Sequence, residues 1–324
     1  MWLPSLAVVV GLVVLTWSAD RFVMGAAGLA RNVGVTPLLI GLTVVAFGTS
    51  APEIIISVLA SLQGSPGLAV GNAIGSNIAN IGLVLGVAAL IAPLTVASRV
   101  LRREFPVLLV VTLVGFLLLA DGVLGVRDGL VLLAGLLLLT GWLVRQGIAQ
   151  NGEINPLATE VEESLPPGLS LPMALFWLLV GLALLLLSSR TLVWGAVEIA
   201  QALGVSELVI GLTIVAIGTS LPELAASVAA ALKGENDLAI GNVVGSNLFN
   251  LLAVLAIPGI LAPAAVENAV LFRDYPLMLG LTALLFVFAL TRGPEAGQIR
   301  RWQGAMLLGL FAGYLALLGW SSVS

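Results

Sequence analysis

Of 324 residues, 60% are hydrophobic and only 9% charged, whereas soluble globular domains carry about 25% charged residues. So few charges cannot cover a water-exposed surface, so the surrounding medium is lipid. The net charge of −4 is scattered and excludes a nucleic-acid-binding patch. The chain has no Cys, which excludes disulfides and thiol chemistry, and no His, which removes the commonest metal ligand and the usual proton relay.

A membrane helix needs roughly 20 mainly apolar residues. In chain order, apolar runs predict ten spans: 4–28, 36–62, 67–92, 104–120, 128–147, 170–195, 206–232, 237–261, 274–291 and 302–320. No basic segment precedes the first run and no A-x-A-like cleavage site follows it, so it reads as a retained helix. The one sizeable polar connection, 151–169, carries Glu153, Glu160, Glu162, Glu163 and the pair Pro166-Pro167. It reads as an acidic cytoplasmic linker between a first five-helix unit, 1–150, and a second, 170–324. It lacks the ordered spacing of a calcium loop.

Lys and Arg accumulate on the cytoplasmic side of membrane proteins. With the N-terminus outside, ten cations fall inside: Arg21, Arg31, Arg99, Arg102, Arg103, Arg145, Lys233, Arg292, Arg300 and Arg301. Three fall outside: Arg127, Arg190 and Arg273. This asymmetry places both termini outside the cytoplasm.

The chain repeats itself. Residues 41–80 and 211–250 align without a gap at an offset of 170, with 23 of 40 positions identical. The same offset pairs Ala92-Pro93 with Ala262-Pro263, and Arg103-Glu104-Phe105-Pro106 with Arg273-Asp274-Tyr275-Pro276. An odd number of spans per unit inverts the second copy, an architecture of secondary transporters whose sites lie near the midplane where the copies meet. The expected fold is an all-α membrane protein of ten transmembrane helices in two inverted five-helix repeats. Spans 2, 3, 7 and 8 are expected to be broken around a midplane cation site.

The most polar stretches are the most similar ones. Gly-Thr-Ser-x-Pro-Glu interrupts the second and seventh spans, from Gly48 to Glu53 and from Gly218 to Glu223. Pro52 and Pro222 remove a backbone donor and disfavour the helical conformation before them, so each helix should break and free carbonyls. Such breaks at membrane depth are tolerated where they are packed in protein or line a wet cavity. Freed carbonyls beside a carboxylate form an oxygen cage of the kind hard cations prefer. Glu53 and Glu223 lie about halfway along their spans, where an acidic group costs at least about 2.5–3.5 kcal/mol on insertion scales.

Thr49, Glu53 and Ser57 share one helical face by their spacing, as do Thr219, Glu223 and Ser227. Asn72, Ser76 and Asn80 form a second stripe, mirrored by Asn242, Ser246 and Asn250. Gly71, Gly75, Gly241 and Gly245 permit close helix approach or local unwinding. The competing reading is that Ser and Asn only bond neighbouring helices, and it applies most to Ser57, Ser227, Asn72 and Asn242.

GTSAPE followed by GNAIGSNIAN, repeated as GTSLPE and GNVVGSNLFN, resembles the two alpha-repeats of the cation/calcium exchanger superfamily, in particular its prokaryotic sodium/calcium exchangers. The resemblance implies a calcium site flanked by sodium sites between spans 2, 3, 7 and 8. Its central ligands would be Glu53 and Glu223. Thr49, Ser50, Ser76 and Asn80 would join them from the first copy, and Thr219, Ser220, Ser246 and Asn250 from the second. Backbone carbonyls near Ala46 and Ala216 would complete the sodium sites. The resemblance further implies that spans 1 and 6 slide as a unit. Some members carry Asp at the position of Asn80 or Asn250, including potassium-dependent exchangers; Asn at both argues against a potassium requirement. The short connection between the units holds no calcium-sensing domain of the kind animal members carry.

The function read from the sequence is secondary active exchange of calcium for sodium by alternating access, in a prokaryotic inner membrane. The partners are calcium and sodium ions and membrane lipid, with no cofactor and no nucleic acid, and a monomer is compatible with that set. Calcium/proton exchange is the alternative, because a carboxyl withdrawn from water can carry a proton. An intramembrane enzyme is disfavoured: without His or Cys, Ser50 and Ser220 have no evident base other than Glu. A channel is disfavoured by the inverted symmetry.

Overall fold

The structure, a computed structural model, describes residues 2–96, 100, 102–150, 169–204, 216–290 and 297–321. The glutamates of the polar linker and the first half of the seventh predicted span lie outside the described residues. Among the described residues twelve helices carry the fold. The first half contains α1 (Trp2–Val33), α2 (Pro37–Thr49), α3 (Ala51–Leu62), α4 (Pro66–Ile91), α5 (Glu104–Leu119) and α6 (Val126–Gln150). The second contains α7 (Leu171–Ala202), α8 (Ala216–Thr219), α9 (Leu221–Leu232), α10 (Asn236–Leu261), α11 (Val270–Ala289) and α12 (Arg301–Ser321).

Among the described residues seven helices are long and apolar enough to cross a membrane, and the bent pair α2–α3 makes an eighth. Two shorter apolar helices are α5 and α9. Leu and Val side chains stand exposed along α1, α6 and α7, a surface that only lipid would cover. The chain is an integral membrane protein. Its most buried helices are α4 and α10, which therefore form the centre.

α1 and α7 run antiparallel along their length, and glycines set the approach. A Cβ on Gly11 would lie 2.9 Å from Leu192 Cβ, and one on Gly181 would lie 2.7 Å from the Phe22 nitrogen. One on Gly25 would lie 2.8 Å from the Ala174 carbonyl, and one on Gly195 would lie 2.6 Å from the Pro4 carbonyl. Each contact recurs with the halves exchanged, since Gly11 and Gly181, Phe22 and Leu192, Gly25 and Gly195, and Pro4 and Ala174 all differ by the repeat offset. The pairing is thus self-complementary about a local two-fold axis. Arg21 lies over the rings of Trp17 and Trp177, 5.5 and 5.2 Å from their centroids, further tying α1 to α7. An ion pair of 2.6 Å joins Asp20 on α1 to Lys233 after α9.

Among the described residues, four two-residue strands also pair across the halves. β1 (Leu94–Thr95) pairs antiparallel with β4 (Gln298–Ile299), and β2 (Val123–Leu124) with β3 (Ala264–Ala265). The registers match Leu94 to Ile299 and Leu124 to Ala264.

The breaks expected in the third and eighth spans take another form. α4 and α10 stay helical, but each widens into a π-helical turn, at Asn80–Leu85 and Asn250–Val254. A π turn accommodates an extra residue without abandoning the backbone hydrogen bonds, and such turns concentrate at functional sites. Both begin at the last Asn of the polar stripe. A third π turn occupies Gly41–Val45 within α2.

Candidate functional site

The second predicted span breaks where the Thr-Ser-x-Pro-Glu motif requires it. Ser50 leaves the helical conformation at φ −80° and ψ 6°, and α2 and α3 meet there at 44°. Ser220 does the same at φ −90° and ψ 5°, between α8 and α9. Pro52 and Pro222 then occupy the first turn of the following helix, where their missing N–H costs nothing. Glu53 and Glu223 fall in that same first turn, so each carboxyl faces the positive end of a helix dipole.

The two halves interlock around these carboxyls. Ser50 Oγ donates to Glu223 Oε1 at 3.1 Å, and Thr49 Oγ1 donates to Asn242 Oδ1 at 3.1 Å. Close packing brings α2 this near, since a Cβ on Gly241 or Gly245 would lie 2.7 Å from a carbonyl of α2, that of Leu38 or Leu42.

Burial is nearly complete. Glu53 and Glu223 are each 1% exposed, and Ser50, Ser220, Asn80, Ser246 and Asn250 are 0% exposed. Yet both Glu53 oxygens, Glu223 Oε2, the Ser220 and Ser246 hydroxyls, and both amide atoms of Asn80 and Asn250 have no hydrogen-bond partner. Buried polar groups are nearly always paired, so this cluster is organised for something the polypeptide does not supply. Among the described residues no group of three acidic, His or Cys side chains gathers. The available oxygens come instead from two carboxyls together with hydroxyls and amides.

The remaining predicted residues divide by role. Ser57 donates to the Val254 carbonyl at 2.8 Å and Asn72 to the Glu53 carbonyl at 3.1 Å. Asn242 donates to the Glu223 carbonyl at 3.2 Å and to Ser227 at 2.8 Å. These four bind helix to helix. The Ala46 carbonyl accepts from Ser50 N at 3.0 Å and Thr49 Oγ1 at 3.4 Å. Ala216 is the first residue of α8. Ser76 and Thr219 line a cavity of about 380 Å³ that also reaches Asn72, Glu267, Asp274 and Tyr314.

Two further buried asparagines were not among the predicted ligands. Asn77 and Asn247 are 0% and 1% exposed. Both amide atoms of Asn77 and the amide oxygen of Asn247 lack a partner. Their retention at the repeat offset was the available signal.

A lipid-embedded helical bundle with two opposed carboxyls buried at its centre defines a membrane ion transporter. The chain belongs to the sodium/calcium exchanger family, whose pattern, described as sodium/calcium exchanger protein, matches residues 4–145 and 173–320. A protein of Alkalimonas amylolytica named CaxA is 50% identical over 318 residues, covering 98% of this chain and 99% of that one. Sodium/calcium exchanger MaX1 of Methanosarcina acetivorans is 30% identical, over 97% of each chain. The sodium-calcium exchanger NCX_Mj, in a structure soaked with sodium and calcium ions, matches with a TM-score of 0.82 and 35% identity, over 97% of this chain and 98% of that one.

Proposed function

We propose that this antiporter exchanges calcium for sodium by alternating access, using ten spans arranged as two inverted five-helix units. One observation carries the reading: two carboxyls at the centre of a membrane protein hold oxygens with no partner, amid further unpartnered hydroxyls and amides. An ionised carboxylate in an apolar medium is prohibitively costly unless a cation balances it, and among the described residues no Lys or Arg pairs with Glu53 or Glu223. Calcium takes six to eight oxygen ligands. Glu53 and Glu223 neutralise it, and Thr49, Ser50, Ser76, Asn80, Thr219, Ser220, Ser246 and Asn250 supply further oxygens. Carbonyls near Ala46 and Ala216 complete the flanking sodium positions. When calcium leaves, sodium ions must screen the same carboxylates, so the two cargoes exclude one another.

The exchanged contacts between α1 and α7 support the inverted arrangement, because an antiparallel self-complementary pair follows directly from a two-fold axis in the membrane plane. The test is calcium-45 uptake into proteoliposomes driven separately by sodium and proton gradients. Uptake that requires the sodium gradient upholds the reading; uptake driven by protons without sodium replaces it with calcium/proton exchange.

A further inference from the structure

Four buried asparagines lie on α4 and α10, the two most buried helices of the fold. Asn77 and Asn80 lie three residues apart on α4, and Asn247 and Asn250 three apart on α10, so each pair occupies neighbouring positions on its helix. The segment Pro66–Ala79 packs against the π turn that begins at Asn250, and Asn236–Phe249 packs against the π turn that begins at Asn80. All four residues are at most 1% exposed, and seven of their eight amide atoms have no hydrogen-bond partner.

Leaving one buried polar group unsatisfied costs about 1–3 kcal/mol, so seven together, repeated by both halves, require a partner outside the polypeptide. A bare cation satisfies only the oxygens. The Nδ2 groups of Asn77, Asn80 and Asn250 need an acceptor, and the unpartnered carboxyl oxygens of Glu53 and Glu223 or water can provide it. The amides are therefore suited to an ion that keeps part of its hydration.

We propose that Asn77 and Asn247 belong to the ion cage, their amide oxygens acting on the transported cation or on water that stays bound to it. This rests on the exchange reading above and enlarges its ligand set by one residue in each half. Because both carry oxygen without formal charge, they serve calcium, which demands more ligands, more than sodium. They thereby help to set the preference between the two cargoes.

The test uses the full chain in proteoliposomes, comparing wild type with Asn77→Ala, Asn77→Asp, Asn247→Ala and Asn247→Asp. The readouts are the half-saturating concentrations of calcium and of sodium and the maximal rate. Alanine should raise the calcium value roughly tenfold, the equivalent of one lost polar contact, with a smaller change for sodium. Aspartate adds a negative charge beside a divalent ion and should lower the calcium value. A residue that only holds the helices together would lower the protein yield and maximal rate in both variants, leaving the ratio of the two affinities unchanged; that result overturns the proposal. For any variant that transports poorly, calcium-dependent thermal stabilisation of the purified protein in detergent gives the same comparison, with Asn77→Ser and Asn247→Ser as milder truncations. A wild type without sodium-dependent calcium exchange refutes the functional reading instead, and the two failures are thereby separate.

Discussion

Ser50 from one half of the chain donates its hydroxyl to Glu223 of the other at 3.1 Å, while the equivalent hydroxyl, Ser220, and both oxygens of Glu53 stay unpartnered. The repeat makes the two pairs interchangeable in sequence, and the structure treats them differently. In the proposed inverted-repeat arrangement, a single conformation must break the equivalence of the halves, since a site with both sides alike would open to both faces or to neither. Exchanging the roles of the two Ser–Glu pairs is one natural counterpart of switching access.

Removing the Ser50 hydroxyl tests this contact. A hydrogen bond to a charged group contributes about 1.5–3 kcal/mol, so Ser50→Ala should raise half-saturating calcium roughly ten- to hundredfold. Calcium-45 exchange in proteoliposomes measures it. An unchanged value would show that the Ser50–Glu223 bond plays no part in binding.

The carboxyls themselves give a sharper result. Glu53→Gln and Glu223→Gln preserve shape and some hydrogen bonding while removing the charge that balances a divalent ion. Each variant should fold and insert, with calcium transport abolished. Exchange at the wild-type rate by either variant would reject the site.

The α1–α7 seam makes a prediction about stability. A methyl group on Gly181 would meet the Phe22 backbone at 2.7 Å, and overpacking of this kind costs about 1–3 kcal/mol. Gly181→Ala should lower the thermal unfolding temperature in detergent by several degrees. Gly313, on lipid-exposed α12, has no described atom within 4 Å of its added Cβ, so Gly313→Ala should leave that temperature unchanged or raised. Equal behaviour of the two variants would refute the tight seam.

Much of this architecture was legible from residues alone. The contacts exchanged between α1 and α7 fall at the repeat offset of 170, and Pro52 foretold the bend at Ser50. The reading of Ser57, Ser227, Asn72 and Asn242 as helix-to-helix bonds also agrees with their partners. Other features have no sequence period to betray them. A π turn needs one extra residue per turn, and nothing in Asn80–Leu85 or Asn250–Val254 signals it. α1 and α7 reach Val33 and Ala202, past the expected ends at 28 and 195, because apolar content marks the lipid boundary rather than the end of a helix. Asn77 and Asn247 fall off the i, i+4, i+8 stripe and were passed over for that reason. Their burial with unpartnered amide atoms is visible only in three dimensions.

The charge asymmetry predicts topology. A reporter fused at the C-terminus should be found outside the cytoplasm, and one inserted near Glu160 should be found inside. The chain has no Cys, so single introduced cysteines with an impermeant thiol reagent provide an independent check without background. Both positions on the same side would defeat the five-plus-five inverted arrangement.

Coupling follows from the neutrality of Asn80 and Asn250. With amides at both positions, Glu53 and Glu223 are the only formal charges in the proposed cage. Calcium leaves the cage neutral. Three sodium ions in its place leave an excess of one positive charge, spread over the hydroxyl, amide and carbonyl dipoles of the proposed cage. The cycle should therefore move net charge, need no potassium, and respond to a membrane potential. The available bias is about 2.3 kcal/mol per elementary charge per 100 mV, close to a fiftyfold change in the equilibrium calcium ratio. Clamping proteoliposomes at defined potentials with valinomycin and potassium, under a fixed sodium gradient, measures the effect directly. Calcium should accumulate further at the potential that favours sodium charge moving outward through the exchanger. An accumulation ratio indifferent to the potential would mean that two sodium ions, not three, replace each calcium.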